Sequence, residues 1–495
     1  MNNKTKQAGV LENISWKFAE RITAQLVTTV VSIVLARLLD PGHYGIISIV
    51  TIFITIANVF VSDGFGSALI QKKDADELDF SSVLYFNIVF SIAIYLILYI
   101  SAPLISIFFG DGYEQLTPVL RVLGLRVILS AINSVQQAYV SKNMIFKKFF
   151  GATITGTIIS AIVGIYLAYA GYGVWALVAQ YLTNTTVDTV FLAFSLKVKP
   201  ILKFSLNRLR NLVGFGARVL GLNLLITVYQ EIRAILIGKY YTSKDLAYYN
   251  KSAQFPSLLI TNINVSISSV LFPKFSQFQD DNKKMKQLAR TSISTSFYVI
   301  APLLFGLAAI SSTFVPVVLT EKWNECIPYL QLMCFNSLFY TVNSTNMQIV
   351  KAKGRSDISL KLEIVKKIIE CGILVAVFRF GIIYIVIGMV FTSTVFTIIN
   401  CLPTEKLIGY SFGEQLKDIL PTLLLSGIMY LIVYFIGKNT INQGFSLLIQ
   451  ILAGGLIYIG LSILTNNCEL KLILSILLKC LRWGKRNERN QFERI

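Results

Sequence analysis

The residues of this sequence with the clearest chemical meaning are charged side chains that lie within long apolar runs. Eight of them are basic: Arg21, Arg121, Arg126, Arg218, Arg233, Lys251, Lys366 and Lys367. Six acidic residues lie in the same runs: Glu20, Asp63, Asp188, Glu231, Glu363 and Glu370. A basic side chain near the centre of a lipid bilayer costs at least about 2.5–3.5 kcal/mol. We therefore expect these side chains to line a water-filled cavity or to neutralise one another.

The excess of cations indicates a site for an anion. Guanidinium groups bind phosphate and pyrophosphate through two parallel hydrogen bonds, and ammonium groups bind them as point charges. Arg126 is the strongest candidate by position, because it lies about eight residues into its run, roughly 12 Å deep at 1.5 Å per residue. No acidic residue lies within one helical turn of Arg126 in the sequence. Hydrogen bonds to backbone carbonyl groups of a neighbouring helix are its alternative role.

Several other charged residues have a structural alternative. Lys251 and Arg218 lie near the ends of their runs, where a long side chain can reach the membrane surface. Glu231 and Arg233 are two residues apart, so they point to different sides of a helix and are not expected to pair. Asp63 precedes a Gly-Phe-Gly segment and can cap a break in its helix. Cavity lining is the functional alternative for each of them.

Four charged residues form a polar stripe on one predicted helix. Glu363, Lys366, Lys367 and Glu370 follow the spacing i, i+3, i+4 and i+7. Glu363 with Lys367 and Lys366 with Glu370 have the four-residue spacing of helical ion pairs. The stripe is either a self-neutralised, solvated end of the helix or a cavity wall near the cytoplasmic mouth, with the acids acting in gating.

No motif in the sequence indicates catalysis, a cofactor or a metal. The chain has no phosphate-binding Gly-x₄-Gly-Lys-Ser/Thr loop and no His-Glu-x-x-His motif. His43 is the one histidine, and the six cysteines form no Cys-x-x-Cys pair. We therefore expect neither catalytic residues nor metal ligands nor a cofactor.

The composition is that of a membrane protein. Of the 495 residues, 54% are hydrophobic and 14% are charged, and the mean hydropathy is +0.65. Apolar runs of about 20 residues, the length that crosses a bilayer as a helix, recur along the chain. We predict fourteen spans: 16–38, 45–69, 81–109, 118–141, 150–170, 173–196, 211–238, 246–272, 291–319, 326–350, 358–379, 381–402, 418–437 and 444–465. This is an all-α polytopic membrane protein.

The net charge of +19 follows the predicted topology. Lys and Arg concentrate in the two tails and in every second turn, which places both termini in the cytoplasm by the positive-inside rule. Anionic lipid headgroups, rather than nucleic acid, are the expected partners of these charges. Residues 468–483 indicate a helix on the membrane surface, with docking of a protein partner as the alternative.

Two short hairpins connect apolar runs and resemble each other. Residues 34–45 read VLARLLDPGHYG, and residues 235–250 read ILIGKYYTSKDLAYYN. A shift of 202 positions aligns Arg37 with Lys239 and Gly45 with Ala247. This repeat is weak, but it suggests two related helical bundles.

Several segments together resemble the polysaccharide-exporter branch of the MATE-like (MOP) flippase superfamily, which contains the Wzx-like lipid-linked oligosaccharide flippases. The first hairpin at 34–45 is similar to that family, and four further segments follow in the same order: DGFGSALIQ at 63–71, FKKF at 146–149, GYGVWAL at 171–177 and YYNKSAQFP at 248–256. The resemblance covers most of residues 14–460.

The resemblance implies a fold, a domain plan and a function. The fold has two pseudo-symmetric six-helix lobes around a central cavity plus two C-terminal helices. The expected regions are 1–200 and 201–410 for the lobes, 411–465 for the additional helices and 466–495 for an amphipathic basic tail. The implied function is alternating-access translocation of undecaprenyl-pyrophosphate-linked oligosaccharide repeat units, for capsule, exopolysaccharide or O-antigen synthesis. By motif, the pyrophosphate contact falls on Lys251 first and Arg37 second.

The family resemblance also implies a cellular location and a set of partners. The chain is expected in the bacterial cytoplasmic membrane, with the lipid-linked oligosaccharide and phospholipid as partners and with polysaccharide polymerase and glycosyltransferases as associated proteins. One rival is a MATE-type drug or cation antiporter, which needs an acid-dominated cavity. The other is a membrane glycosyltransferase or polymerase, which usually needs a larger outward loop than this chain offers.

Overall fold

The computed structural model describes residues 22–196, 201, 203–438 and 443–475, without the side chains at 63, 64, 211–213, 215, 218 and 265–270. Arg21 therefore lies outside the described residues, as do the side chains of Asp63 and Arg218. The second half of the predicted surface helix at 468–483 also lies outside them, whereas residues 468–475 are helical.

The described residues form long helices and no strands. In the first half these are α1 (Ile22–Leu38), α2 (Pro41–Gln71), α3 (Glu77–Phe109), α4 (Leu116–Asn143), α5 (Phe146–Tyr169), α6 (Val174–Ser195) and α7 (Leu206–Tyr240). The second half has α8 (Ser243–Gln277), α9 (Asn282–Val318), α10 (Ile327–Ser337 and Tyr340–Ala352), α11 (Ser356–Val377), α12 (Ile382–Ile408), α13 (Phe412–Lys438) and α14 (Gln443–Leu464).

Each of the fourteen predicted spans overlaps one of these helices. Within the described residues, nine helices are long and apolar enough to cross a membrane. The prediction of an all-α, multi-pass membrane protein is therefore confirmed, and the number of helices that cross remains a prediction. Some of the remaining helices, such as α6 and α8, carry many polar side chains, which lowers their hydropathy.

Residues 273–290 lie between the predicted spans 246–272 and 291–319, and the prediction that they form a loop is wrong. Helix α8 continues to Gln277 and α9 already begins at Asn282, because Asp281 caps α9 by accepting a hydrogen bond from the backbone N–H of Lys284 at 3.0 Å. The charged first turns of α9 then form ion pairs with α13, of which Arg290–Asp418 at 2.6 Å is one. Apolar periodicity ends where the membrane ends, whereas the helices continue into the polar region.

Several helices contain residues that interrupt the regular pattern of helical hydrogen bonds. Pro103, Pro256, Pro302 and Pro316 all lie inside helices, where a proline has no backbone N–H to donate. Helix α2 contains a π-helical turn at Val59–Asp63, so the irregularity predicted at Asp63 occurs without ending the helix. Such turns are frequent at functional sites.

The described helices divide into two compact units, one ending at Asn250 and the other beginning at Lys251. In the first unit the two hairpins of the sequence repeat contact each other. A Cβ atom built on Gly45 would lie 1.8 Å from the backbone oxygen of Ser243, so only glycine allows α2 to approach the α7–α8 turn this closely. The Asp40 and Lys244 side chains form an ion pair at 3.5 Å beside this contact.

In the second unit, buried amide groups join neighbouring helices. Asn346 on α10 donates a hydrogen bond to the Oε1 atom of the buried Gln415 on α13 at 2.9 Å. Helix α14 is held to α9 by the hydroxyl of Tyr458, which donates to the backbone oxygen of Tyr298 at 2.8 Å. Because lipid offers these groups no partner, their bonds fix the order in which the helices pack.

Candidate functional site

The first unit contains a polar cavity of about 360 Å³ among its helices. Helices α2, α4 and α6 line it mainly with hydroxyl and amide side chains, together with one basic and one acidic residue. The basic residue is Arg126 and the acidic residue is Asp188. The cavity is therefore hydrophilic although its walls are built from otherwise apolar helices.

One face of α4 supplies much of this lining. Arg126, Ser130, Asn133, Gln137 and Ser141 all line the cavity, and their spacing of three or four residues places them on the same side of a helix. This polar stripe is visible in the sequence, but the prediction of residues 118–141 as an apolar span did not include it.

Arg126 is held in place by α6. Its Nε atom donates a hydrogen bond to the Thr185 hydroxyl at 2.9 Å, and its guanidinium carbon lies 5.4 Å from the centre of the Tyr181 ring. Asp188, one turn beyond Thr185, attracts the same guanidinium group electrostatically. Side chains of a neighbouring helix thus accompany Arg126, where backbone carbonyl groups were the expected alternative.

The position of Asp188 depends on a glycine of α5. A Cβ atom built on Gly156 would lie 2.1 Å from Oδ1 of Asp188. The absence of a side chain at Gly156 therefore provides the space in which the carboxylate sits. From the sequence, Asp188 is predicted as one of the acids within the spans but not as a site residue.

Amide groups form another part of the cavity wall. Gln137 donates from its Nε2 atom to Oδ1 of Asn133, and Asn133 donates to the Thr189 hydroxyl at 3.4 Å. Oδ1 of Asn58, also in the lining, is buried and has no hydrogen-bond partner among the described residues. Asn184 of α6 adds a further amide to the lining.

Lys251, which the family resemblance ranks first as a pyrophosphate contact, lies in the second unit. Its side chain is buried, with 5% of the residue exposed. Its Nζ atom lies 5.8 Å from the centre of the ring of Trp323, which is itself fully buried. Among the predicted cations whose side chains are described, Arg126 alone lines the cavity of the first unit.

The other predicted cations are distributed along the helices. Arg37 is exposed near the end of α1. Arg233 on α7 is half-buried and hydrogen-bonds to the side chain of Tyr249, and Glu231 lies close enough to act electrostatically on that tyrosine. Arg218 lies on the same helix.

The charged stripe on α11 is self-paired, but not in the predicted way. Lys366 pairs with Glu363 and Lys367 pairs with Glu370, the latter at 3.2 Å. Both pairs have a spacing of three residues, whereas the prediction joined residues four apart. Lys366 is buried and Glu363 is exposed, so the first pair joins a buried cation to an exposed acid.

A second charged cluster, which was not predicted, lies at the start of α3. Asp79, at the start of α3, is fully buried and pairs with Lys72 at 2.6 Å and with Arg208 at 3.6 Å. Asp76 and Asp79 form a capping box that begins α3. A backbone hydrogen bond with Asp79, helped by the nearby Arg208, lowers the pKa of Asp76 below its usual value. The Asp-x-x-Asp spacing before an apolar run is the signal that indicates this cap.

The chain is similar to known proteins along most of its length. Residues 34–328 match the profile of a family described as polysaccharide biosynthesis protein. Lipopolysaccharide biosynthesis protein WzxC of Escherichia coli (strain K12) is 25% identical over 410 residues, across 79% of this chain and 82% of that protein. Succinoglycan biosynthesis transport protein ExoT of Rhizobium meliloti (strain 1021) is 23% identical over 484 residues, across 94% and 95%.

A solved structure has the same fold. The lipid II flippase MurJ, in an inward closed conformation, matches with a TM-score of 0.74 and 17% identity, across 92% of this chain and 99% of that chain. At this level of identity the match establishes the fold.

Proposed function

The chain belongs to the polysaccharide biosynthesis protein family, and from that premise we propose that it is a flippase for lipid-linked oligosaccharides. It moves undecaprenyl-pyrophosphate-linked repeat units across the membrane by alternating access and makes or breaks no bond. The observation that carries the proposal is the hydrophilic cavity around Arg126, because a sugar-bearing headgroup needs a polar path through apolar helices.

Arg126 is the proposed headgroup contact of the first unit. It is held at one point by Thr185, and it has further N–H donors with which it can bind a ligand. Lys251, Arg37, Arg233, Lys366 and Lys367 are proposed as the contacts for the pyrophosphate along the rest of the path, with Arg21 and Arg218 as further candidates. Glu231, Glu363, Glu370 and Asp63 are proposed to act in gating.

The place and partners of the chain follow the same proposal. It is a multi-pass membrane protein, and we place it in the bacterial cytoplasmic membrane with both termini inside. The two lobes, 1–200 and 201–410, and the additional pair of helices at 411–465 remain our proposed division for transport. Polymerase and glycosyltransferases are its proposed neighbours.

Substitution of Arg126 tests the function. We expect Arg126→Ala to abolish polymer export and to cause lipid-linked repeat units to accumulate on the inner side of the membrane, because the headgroup loses its cationic contact. Arg121→Ala is the matched control, since Arg121 lies on the same helix but donates from Nε to the backbone oxygen of Tyr99 at 3.3 Å. Surface polymer and extracted lipid intermediates are measured in cells that contain equal amounts of membrane-inserted protein.

Two outcomes would contradict parts of this proposal. Deletion of the gene without accumulation of lipid-linked repeat units would reject the flippase function. Full export by Arg126→Ala and by Lys251→Ala, with deletion still causing accumulation, would remove these two residues from the path.

Substitutions of the two charged cavity residues, Arg126 and Asp188, distinguish the flippase from a drug antiporter. The cavity of the first unit has one basic and one acidic residue in its lining, so it is not acid-dominated. If the chain exported cationic drugs, Asp188→Asn would reduce drug efflux in cells and Arg126→Ala would not. The glycosyltransferase is tested by sugar transfer with the purified protein, for which we expect no product.

A further inference from the structure

The cavity of the first unit has the chemistry of a sugar site more than that of a phosphate site. A phosphate group only accepts hydrogen bonds at neutral pH, so it is bound by donors. A sugar hydroxyl group both donates and accepts, and side-chain amides offer both functions. Four amides line the cavity, namely Asn58, Asn133, Gln137 and Asn184, together with several serine hydroxyl groups.

Two acceptors in the lining weigh against a phosphate. Oδ1 of Asn58 is buried without a hydrogen-bond partner among the described residues, and a buried acceptor of this kind favours a ligand that donates. Asp188 also lines the cavity. It attracts Arg126 and repels a dianion, whereas it can accept a hydrogen bond from a sugar hydroxyl.

The size of the cavity sets a further limit. Sites for small molecules have volumes of about 300–1,000 Å³, and this cavity of about 360 Å³ is at the lower end. It can hold part of an oligosaccharide, but not a long repeat unit together with its lipid.

From these observations we propose that the cavity binds the sugar portion of the lipid-linked substrate, through the amides of α4 and α6 together with Arg126 and Asp188, and leaves the pyrophosphate outside. This inference rests on the proposed flippase function and assigns the substrate class of its site. Cations elsewhere on the path then bind the phosphates. The amide positions determine which sugars the protein accepts.

Two adjacent glutamines of α4 provide a matched pair for the test. Gln137 lines the polar cavity. Its neighbour Gln136 donates to the backbone oxygen of Thr189 at 3.1 Å and lines a separate, mostly apolar crevice of about 170 Å³. The two substitutions remove the same chemical group from the same helix, at positions one residue apart.

The experiment measures the binding of two lipids to the full-length protein in nanodiscs. One lipid is the lipid-linked oligosaccharide extracted from cells in which the gene is deleted, and the other is undecaprenyl pyrophosphate without sugar. We expect Gln137→Ala and Asn184→Ala to weaken binding of the sugar-bearing lipid by about threefold to tenfold each, the effect of one neutral hydrogen bond. Binding of the sugar-free lipid should not change, and Gln136→Ala should change neither.

The outcomes separate the inference from the function on which it rests. If the wild-type protein binds the sugar-bearing lipid and neither cavity variant weakens that binding, the cavity is not the sugar site. If the variants weaken both lipids equally while their melting temperatures match the wild-type value, the cavity binds the phosphates and the inference is wrong. If the wild-type protein binds neither lipid, the flippase proposal itself fails.

Discussion

At the scale of single residues, Arg126 supplies the positive charge in the lining of the polar cavity, and the Thr185 hydroxyl of α6 holds its side chain there. The depth of Arg126 in an apolar run predicts a contact with the substrate; the structure places its side chain in the lining of a cavity, and the contact itself stays a prediction. Its partners Thr185 and Asp188 lie on α6, about sixty positions later in the chain. One sequence gives the period of each helix but not the register between two helices, so these partners could not be predicted.

Gly156 makes a prediction at this scale. We expect Gly156→Ala to push the Asp188 carboxylate out of its position, because the new Cβ atom would lie 2.1 Å from Oδ1. Overpacking of this kind costs about 1–3 kcal/mol, and we expect a lower melting temperature of the purified protein together with reduced polymer export.

Gly372 on α11 is the control for this substitution. No atom lies within 4 Å of a Cβ built on it, and an alanine in a helix is favoured over glycine by up to about 1 kcal/mol. Gly372→Ala should therefore leave the melting temperature unchanged or raise it. Equal melting temperatures for the two variants would contradict the tight contact at Gly156.

The existence and order of the helices could be predicted from the sequence, whereas the residues at which their polar ends begin and stop could not. The predicted spans all overlap helices, because long apolar runs have few other solutions in a membrane. The segment 273–290 was predicted as a loop, yet much of it is helical, since caps and ion pairs replace apolar periodicity there. The polar face of α4 follows the same period as its apolar face, so both could be found from spacing.

Asp79 carries the prediction for the elements. Its fully buried carboxylate joins the start of α3 to Lys72 and Arg208. We expect Asp79→Ala to lower the free energy of unfolding by roughly 2–3 kcal/mol, less than for a wholly buried pair because both cations are partly exposed. A denaturant titration of the protein in micelles measures this change.

Asp74 provides the comparison for Asp79. It is exposed in the same connection between α2 and α3, and we expect Asp74→Ala to change the free energy of unfolding by less than about 0.5 kcal/mol. A loss of the same size in both variants would mean that charge in this connection, rather than the buried cluster, stabilises the unit.

At the scale of the whole molecule, the contact between the two hairpins of the sequence repeat leads to a prediction about transport. Their residues were paired from a weak alignment, and in the first unit they lie in direct contact at Gly45 and Ser243. This contact could not be predicted from the sequence, because a glycine in a hairpin also has the simpler explanation of a turn. Lys251, in contrast, was chosen by motif, and the structure places it beside Trp323 in the second unit.

A disulfide across the hairpins tests whether they separate during transport. A Cβ built on Gly42 would lie 3.6 Å from the Ser243 hydroxyl oxygen, so Gly42→Cys with Ser243→Cys can form a disulfide. We expect oxidation of this double variant to stop export and reduction to restore it, if alternating access opens this contact. Each single variant, treated in the same way, is the control. Full export by the oxidised double variant would show that the hairpins stay together.

The single polar stripe of α4 has a consequence for how such a protein changes its cargo. Side chains that recognise a ligand from one face of one helix can be exchanged separately, without disturbing the lipid-facing side that keeps the protein in the bilayer. A few codons, spaced three or four apart, would then be enough for a strain to coat itself with a different glycan.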